Sequence, residues 1–337
     1  MNIRHLTFRL LQVHVEVVRR GSVSEAARRL HLTQPTVSQQ LKRLREAVGE
    51  PLLETRQGRL EPTEAGLELY RASREVLGRF DDFADYLDAL RGGRRGHFSI
   101  ALVNTAQYVL PRLLGPFNRA YPEVEVTVHI GNRQQMLRRF DRQEDDLYVF
   151  SHPPSLEHAL AGRFLRNPLV MVAPRDHPAV REPGWALERL LGERLLLREP
   201  GSATRMLTDR WLLERGLATG PTMQMASNEA IRVGVASGLG LAILSEHVLP
   251  PEHPDLATLP LPGLPIESHW QFIARRDQRL AHSALGFLRF VRDYLEECVE
   301  KRFVCNELPG LLAGLEAVKD PRRAVGESVA GRSPSAP

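Results

Sequence analysis

Across residues 33–48 the side chains sort by face. Val37, Leu41, Leu44 and Val48 follow a +4, +3, +4 step, which at about 100° per residue gathers them on one side of a helix. The other side carries Pro35, Gln39, Lys42, Arg43 and Glu46, flanked by Thr36 and Ser38. A face of amides, hydroxyls and cations has the chemistry to read nucleic acid. Glutamine pairs in a bidentate manner with adenine, Ser and Thr serve base or phosphate, and Lys and Arg neutralise phosphate. The same composition also suits an ordinary solvated face, so this face alone leaves both readings open.

A second group of polar residues falls where strands should end and helices begin. Asn104, Thr105 and Ala106 follow one strand, and Asn132 and Arg133 follow the next. Ser202, Thr204 and Arg205 open a later helix, and Ser227 and Asn228 open another. Free amides at helix amino termini bind anions, and Arg133 and Arg205 would favour a phosphate or carboxylate. The alternative is that the small polar residues are helix caps and both arginines are solvated.

Catalytic patterns are weak by comparison. Gly238-Leu239-Gly240 precedes a strand instead of joining a strand to a helix, so it reads as a turn and not as a dinucleotide fingerprint. The histidines from His129 to His282 show no metal-ligand spacing, and no Gly-x-Ser-x-Gly elbow occurs. Cys298 and Cys305 read as inert thiols near the end of the chain.

The elements that must position these groups are legible from periodicity. Residues 5–19 place Phe8, Leu11, Val15 and Val18 on one helical stripe that ends at Gly21. Ser22 and Glu25 have capping-box spacing for a short second helix carrying Ala26, Ala27 and Leu30. Residues 31–33 form a turn, and Thr33 caps a third helix that tolerates Pro35 in its first turn. From residue 63 to about 91, Leu69, Val76, Phe80, Phe83, Leu87 and Leu90 repeat at three- and four-residue steps, with Ser73 the polar exception. Such a rod of roughly 40 Å calls for a second chain to cover its stripe, or else packs on its own domain. The glycines and arginines of residues 92–96 then form a hinge.

Beyond the hinge, strands and helices alternate, which indicates an α/β body. Strands are expected at 98–103, 124–130, 147–150, 169–173, 194–197, 222–225, 241–244 and 268–275. Helices are expected at 108–120, 134–142, 185–191, 203–215, 229–237 and 281–299. The expected organisation is a head at 1–62, a linker helix at 63–92 and a two-lobed body at 93–299. Lobe I takes 97–168 and 268–299, and lobe II takes 169–267. Residues 300–337 are expected outside that pattern, with a short helix at 308–318 and a disordered end.

Charge agrees with this division. The 337 residues carry +4 overall, yet residues 1–62 alone hold 11 Lys+Arg against 6 Asp+Glu. A basic head on a neutral body suits a polyanion partner. No run of about 18 apolar residues occurs and no signal peptide opens the chain, so a cytoplasmic protein without membrane contact is expected.

The ungapped run of residues 22–44, beginning Ser22-Val23-Ser24-Glu25-Ala26-Ala27 and continuing through Thr33-Gln34-Pro35-Thr36-Val37-Ser38, closely resembles the winged helix-turn-helix of LysR-type transcriptional regulators. The likeness continues through Gly49-Glu50-Pro51-Leu52-Leu53 and through residues 60–66. It implies a mixed fold, with an all-α winged helix-turn-helix and a long linker helix followed by a two-lobed, periplasmic-binding-protein-like α/β effector domain. By resemblance Gln34, Pro35, Ser38 and Gln39 take the DNA-contacting positions. Thr33 as the cap, with Thr36, Lys42 and Arg43 from the face geometry, completes that set. The wing departs from the family pattern at Leu52-Leu53-Glu54-Thr55, so the minor-groove role falls to either Arg56 or Arg59.

Residues 145–154, including His152, and residues 198–205 and 227–231 look like the regulators of RuBisCO and inorganic-carbon uptake operons. Asn104 stands where those relatives tend to have a hydroxyl residue, and Ala203 where they tend to have glycine. The resemblance implies no cofactor and a small anionic effector such as a phosphorylated sugar or a carboxylate metabolite. It also implies a pseudo-palindromic double-stranded operator, a dimer that pairs into a tetramer, and contact with RNA polymerase. The competing classes are a LysR-type regulator of another metabolic operon, a solute-binding protein and a cytosolic α/β enzyme.

Overall fold

The computed structural model describes residues 5–56, 59–90, 95–153, 158–182, 184–250, 253–278 and 280–319. Two compact units result, Met1–Gly93 and Arg94–Pro337.

In the first unit, Thr7 caps α1 (Phe8–Arg20) and Gly21 ends it at φ 63°, a conformation glycine adopts without penalty. The buried stripe of α1 is Leu10, Val13, His14, Val15 and Val17. The expected stripe differs because Phe8 stays 42% exposed and turns its ring to Phe80, edge to face at 4.5 Å. Helix α2 (Val23–Arg29) starts at Ser22, whose hydroxyl accepts the Glu25 amide at 3.3 Å. Only this half of the expected box forms among the described residues. Helix α3 (Gln34–Val48) is capped by Thr33 and buries Val37, Leu44 and Ala47. Strands β1 (Leu53–Arg56) and β2 (Arg59–Pro62) pair antiparallel as the wing hairpin.

Helix α4 (Glu64–Leu90) runs for 27 residues. Its start fits tightly over the chain: a Cβ on Gly66 would lie 1.8 Å from the Leu52 carbonyl oxygen, so only glycine fits there. Leu69 packs into the cluster of Leu10, Leu44 and Leu52. Further along, Val76, Phe80 and Phe83 are exposed. The expected seam therefore divides into a part that completes the head and a part left uncovered. The Leu90 side chain and residues 91–94 lie outside the described residues.

Lobe I of the second unit opens with β3 (Gly96–Val103), a 3-10 turn (Asn104–Tyr108), α5 (Leu110–Ala120), β4 (Val124–Gly131), α6 (Arg133–Asp141), β5 (Leu147–Phe150) and β6 (Ala159–Arg166). Lobe II contains β7 (Leu169–Pro174), α7 (Pro178–Arg181), α8 (Leu187–Leu191), β8 (Leu195–Arg198), α9 (Ala203–Glu214), β9 (Thr222–Met225), α10 (Asn228–Ala236), β10 (Ala242–Ser245) and β11 (Leu256–Leu259). The chain then returns to lobe I with β12 (His269–Arg275), α11 (His282–Cys298) and α12 (Leu308–Lys319).

The lobe I sheet has the order β4-β3-β5-β12-β6. Strand β3 is parallel to β4 and β5, whereas β12 is antiparallel to β5 and β6. Lobe II has an antiparallel sheet, β10-β7-β11, and a parallel pair, β8-β9, joined by a bridge from Leu195 to Leu241. Where the chain crosses between lobes, the Asn167 amide donates to the Ser268 carbonyl at 2.7 Å, and Leu169 and Ile266 exchange backbone bonds at 3.0 and 2.9 Å. The Ser245 hydroxyl donates to Asn167 Oδ1 at 2.6 Å and the Ser268 hydroxyl to the Ser151 carbonyl at 3.1 Å. Every polar group named at this buried crossing has a partner, which fixes the hinge strands.

Three strands or helices were not anticipated: β6, β11 and the short α7. Residues 300–319, expected outside the body, are integral to lobe I. Leu308, Leu311, Leu312 and Leu315 join its core, and a Cβ on Gly162 would come within 2.9 Å of the Leu311 Cβ. Residues 320–337, expected to be disordered, lie outside the described residues. Among the described residues no helix is long and apolar enough to cross a membrane.

Candidate nucleic-acid interface and anion cleft

The start of α3 is held by its own side chains. Thr33 Oγ1 accepts the Thr36 amide at 3.4 Å, and the two hydroxyls lie 2.8 Å apart. The Ser24 hydroxyl of α2 donates to Gln34 Oε1 at 3.2 Å, so the second helix orients the first residue of the third. That bond leaves the Gln34 side-chain NH₂ to donate outward. Gln34, Pro35, Ser38, Gln39, Lys42 and Arg43 are exposed and Thr36 is half-buried, while Val37 and Leu44 on the opposite side are fully buried. The helix thus presents a polar ridge on an apolar base. In the wing, the Arg56 guanidinium sits 2.8 Å from Glu54, with both side chains exposed. A surface pair of this kind is worth about 0–1 kcal/mol, so it yields readily to a phosphate. The Arg59 side chain lies outside the described residues.

One histidine in the head escaped sequence reading. His14 is fully buried, and neither ring nitrogen has a partner among the described residues. Burial lowers its pKa to about 4, so the ring is neutral.

In the body, a small cavity, partly open to solvent, lies between the lobes, lined by Val103, Asn104, Thr105, Asn132, Arg133, Arg198, Ser202, Ala203 and Thr204. Three helices begin near it and their caps differ. Asn132 closes a full capping box with Gln135 at the start of α6, with bonds of 2.9 and 2.8 Å. Ser227 accepts the Ala230 amide at the start of α10. At the start of α9 the Ser202 side chain makes no cap. The first-turn amides of α9 are therefore free of side-chain caps, and Ser202, Ala203 and Thr204 face the cavity. A helix of 12 residues carries a partial positive charge at such an end. Just before it, Gly201 adopts φ 90°, a left-handed conformation that favours glycine.

Two arginines line the cavity, and only one was expected. Arg133 donates from Nε to the His152 carbonyl at 3.0 Å, and burial lowers its pKa from the ordinary value. Helix α6, which carries Arg133, is anchored from its far end by Arg139. Arg139 donates to the fully buried Asp145 carboxylate at 2.8 and 2.9 Å, and the Asp145 carboxylate also meets His129 Nδ1 at 2.8 Å. Burial pushes the Asp145 pKa up, but hydrogen bonds with His129 and Arg139 outweigh it and hold the carboxyl below its ordinary value. The second arginine, Arg198, was not among the expected site residues. It is 3% exposed and pairs with Glu199 in a bidentate manner at 2.8 and 3.1 Å. It also donates to Asn228 Oδ1.

Several expected cleft residues stand elsewhere. Arg205 is bound by Asp209, one helical turn on, at 2.8 Å, and by the Arg198 carbonyl at 3.1 Å, so its charge is spent outside the cavity. Ala106 is buried in the lobe I core. The half-buried His152 contributes its carbonyl to Arg133, and burial, then Arg210 and Arg133, lower the pKa of its ring. Ser227 is consumed as a cap and Asn228 by Arg198. Asn104, Thr105, Asn132, Arg133, Ser202 and Thr204 do line the cavity.

Comparison with known proteins places both sites in context. A family model described as "Bacterial regulatory helix-turn-helix protein, lysR family" matches residues 8–67, and one described as "LysR substrate binding domain" matches residues 91–296. The chain is 40% identical over 295 residues to the HTH-type transcriptional activator CmpR of Synechocystis sp., covering 87% of this chain and 96% of that one. It is 36% identical to the RuBisCO operon transcriptional regulator of Acidithiobacillus ferrooxidans, covering 86% and 95%. A solved structure of the Synechocystis PCC6803 CcmR regulatory domain in complex with 2-PG is 33% identical, with a TM-score of 0.57, and covers 61% of this chain and 99% of that one.

Proposed function

The chain belongs to the LysR family of bacterial transcriptional regulators, and from that premise we propose that it binds double-stranded operator DNA as a dimer and senses a small anion in the inter-lobe cleft. The observation that carries this reading is the pairing of an exposed reading ridge on α3 with an uncapped helix start beside Arg133 in the body. Ligand binding favours one arrangement of the two lobes, and through it one state of the oligomer on DNA. Dimers pair into tetramers on a pseudo-palindromic operator and act on RNA polymerase. The protein works in the cytoplasm, without a cofactor and not as an enzyme.

The similarity to CmpR and to a RuBisCO operon regulator supports a carbon-fixation or inorganic-carbon uptake operon as the target. The complex of CcmR with 2-PG makes 2-phosphoglycolate the first ligand to test. The polar lining supports an anion of this kind, since Arg133 and the uncapped start of α9 face the same cleft.

The test is operator affinity measured against salt, with and without 2-phosphoglycolate. Several Lys and Arg contacts to phosphate predict a steep linear fall of log affinity with log salt concentration. The ligand should shift affinity or DNase footprint length on the cognate operator. A flat salt response, or equal affinity for every duplex, removes the DNA-reading assignment. A salt-dependent, selective complex that ignores the ligand removes the effector assignment alone.

A further inference from the structure

The two arginines beside the cavity differ in what they have left to give. A guanidinium carries five N–H donors. Arg198 commits four of them: Nε and one Nη2 hydrogen to Glu199, one Nη1 hydrogen to Asn228, and the other Nη2 hydrogen to Asn104 at 3.2 Å. That last bond crosses the cleft. Asn104 stands at the end of β3 in lobe I, and its neighbours set the orientation of its amide: with the nitrogen toward the Gly131 carbonyl at 3.1 Å and the oxygen toward Arg198, both ends bond, whereas the reverse orientation would face oxygen to acceptor and nitrogen to donor. Arg198 ends β8 in lobe II, and its charge is cancelled by the Glu199 carboxylate. Arg133 makes only the Nε bond, to the His152 carbonyl, and its four Nη hydrogens have no acceptor among the described residues.

We propose that Arg198 is a positioning residue that ties lobe II to Asn104 of lobe I across the cleft, leaving Arg133 as the counter-charge of the bound anion. This rests on the reading of the cleft as the effector site. Arg198 holds the two walls in register, so that the first-turn amides of α9 and the Arg133 fork face one small volume. The Asn104 amide is what makes the span possible, because it can donate to the Gly131 carbonyl and accept from Arg198 at the same time. A hydroxyl could accept from Arg198, but it has only one donor and a shorter reach with which to hold the Gly131 carbonyl as well.

The two roles separate by their salt dependence, because screening weakens an ion pair to the ligand but not a neutral strut. The probe is 2-phosphoglycolate, titrated calorimetrically into the full chain at several salt concentrations. Arg133→Gln should weaken binding and flatten its salt dependence. Asn104→Ala, which changes no charge, should weaken binding about tenfold, as expected for one charge-assisted hydrogen bond, and keep the wild-type salt slope. The charge-balanced pair Arg198→Met/Glu199→Gln should behave as Asn104→Ala does. If that buried pair fails to fold, Asn104→Ala still decides the matter.

A second readout tests the tie without ligand: Asn104→Ala should speed hydrogen exchange at the hinge amides of Asn167 and Ile266, while Arg133→Gln should leave that exchange unchanged. Wild-type affinity in Asn104→Ala, a slope flattened by the Arg198/Glu199 pair, or an undiminished slope in Arg133→Gln overturns the division of roles while leaving the effector site in place. Absence of 2-phosphoglycolate binding to the wild-type chain overturns the proposal together with the ligand reading on which it rests.

Discussion

Gln34 is where local order and the proposed reading function meet, since the hydroxyl of Ser24 fixes the orientation of its amide. Replacement by alanine should therefore cost selectivity more than affinity. We expect Gln34→Ala to lose about 1–3 kcal/mol of discrimination at one base pair, seen as a smaller ratio between cognate and mismatched duplexes in competition binding. Phosphate contacts elsewhere on the head should keep the salt slope unchanged. Ser24→Ala should produce a weaker form of the same defect. At this scale the sequence was partly legible. The ridge of α3 follows from spacing alone, because a helix fixes which residues share a face. The cleft does not, because Ser202, Ser227 and Asn132 all sit at helix starts and the sequence does not show which ones turn inward as caps. One misassignment was visible in principle: Asp209 lies four residues after Arg205, the spacing at which a helix pairs opposite charges. Arg198 left no such signal, since its function depends on Asn104, which reaches it only through the folded lobes.

Single elements carry two of the expectations. In α1, the ring of His14 is held neutral, with a pKa near 4 against about 6.5 in an unfolded chain. Protonation therefore favours unfolding. The contribution to stability is complete above about pH 6.5 and is lost as pH falls from there toward 4. The head should lose on the order of 2 kcal/mol between pH 7 and pH 5, measurable as a lower urea midpoint by circular dichroism, and His14→Leu should remove this dependence. In α12, Leu311 packs against Gly162 inside the lobe I core, and Leu311→Ala should destabilise the body by about 2–5 kcal/mol. An effect below about 0.5 kcal/mol on chemical denaturation would mean that this helix is not part of the cooperative core. Most regular elements were legible because their apolar residues recur at helical or strand periods. Strand β6 was not, since Gly162 and Arg163 interrupt its pattern and glycine is there for the sake of a helix about 150 positions later. Helix α12 was visible as a helix, but nothing local revealed the surface it covers.

For the whole molecule, the uncovered run of Val76, Phe80 and Phe83 on α4 is the surface a second copy would occupy in the proposed dimer. Phe83→Glu should shift the chain toward monomers in sedimentation velocity. It should also weaken binding to a paired operator site more than to an isolated half-site, because the dimer engages two half-sites at once. Unchanged sedimentation would assign that stripe to another role. The basic excess of the head was readable from composition, but the partition of the α4 stripe was not, because Leu69 and Phe80 look alike until the packing against α1 is known. In lobe I, β6 is the outermost strand of its sheet, and its free side is bridged by Val304 opposite Leu165, with Cys305 and Glu307 bonded to the carbonyls of Phe164 and Arg163. An exposed strand margin recruits other chains. A version cut back to residue 299 would bare both that margin and the leucines beneath α12, so its expected failure is precipitation at high concentration, with intermolecular β-structure in its infrared spectrum, and not merely a lower melting point.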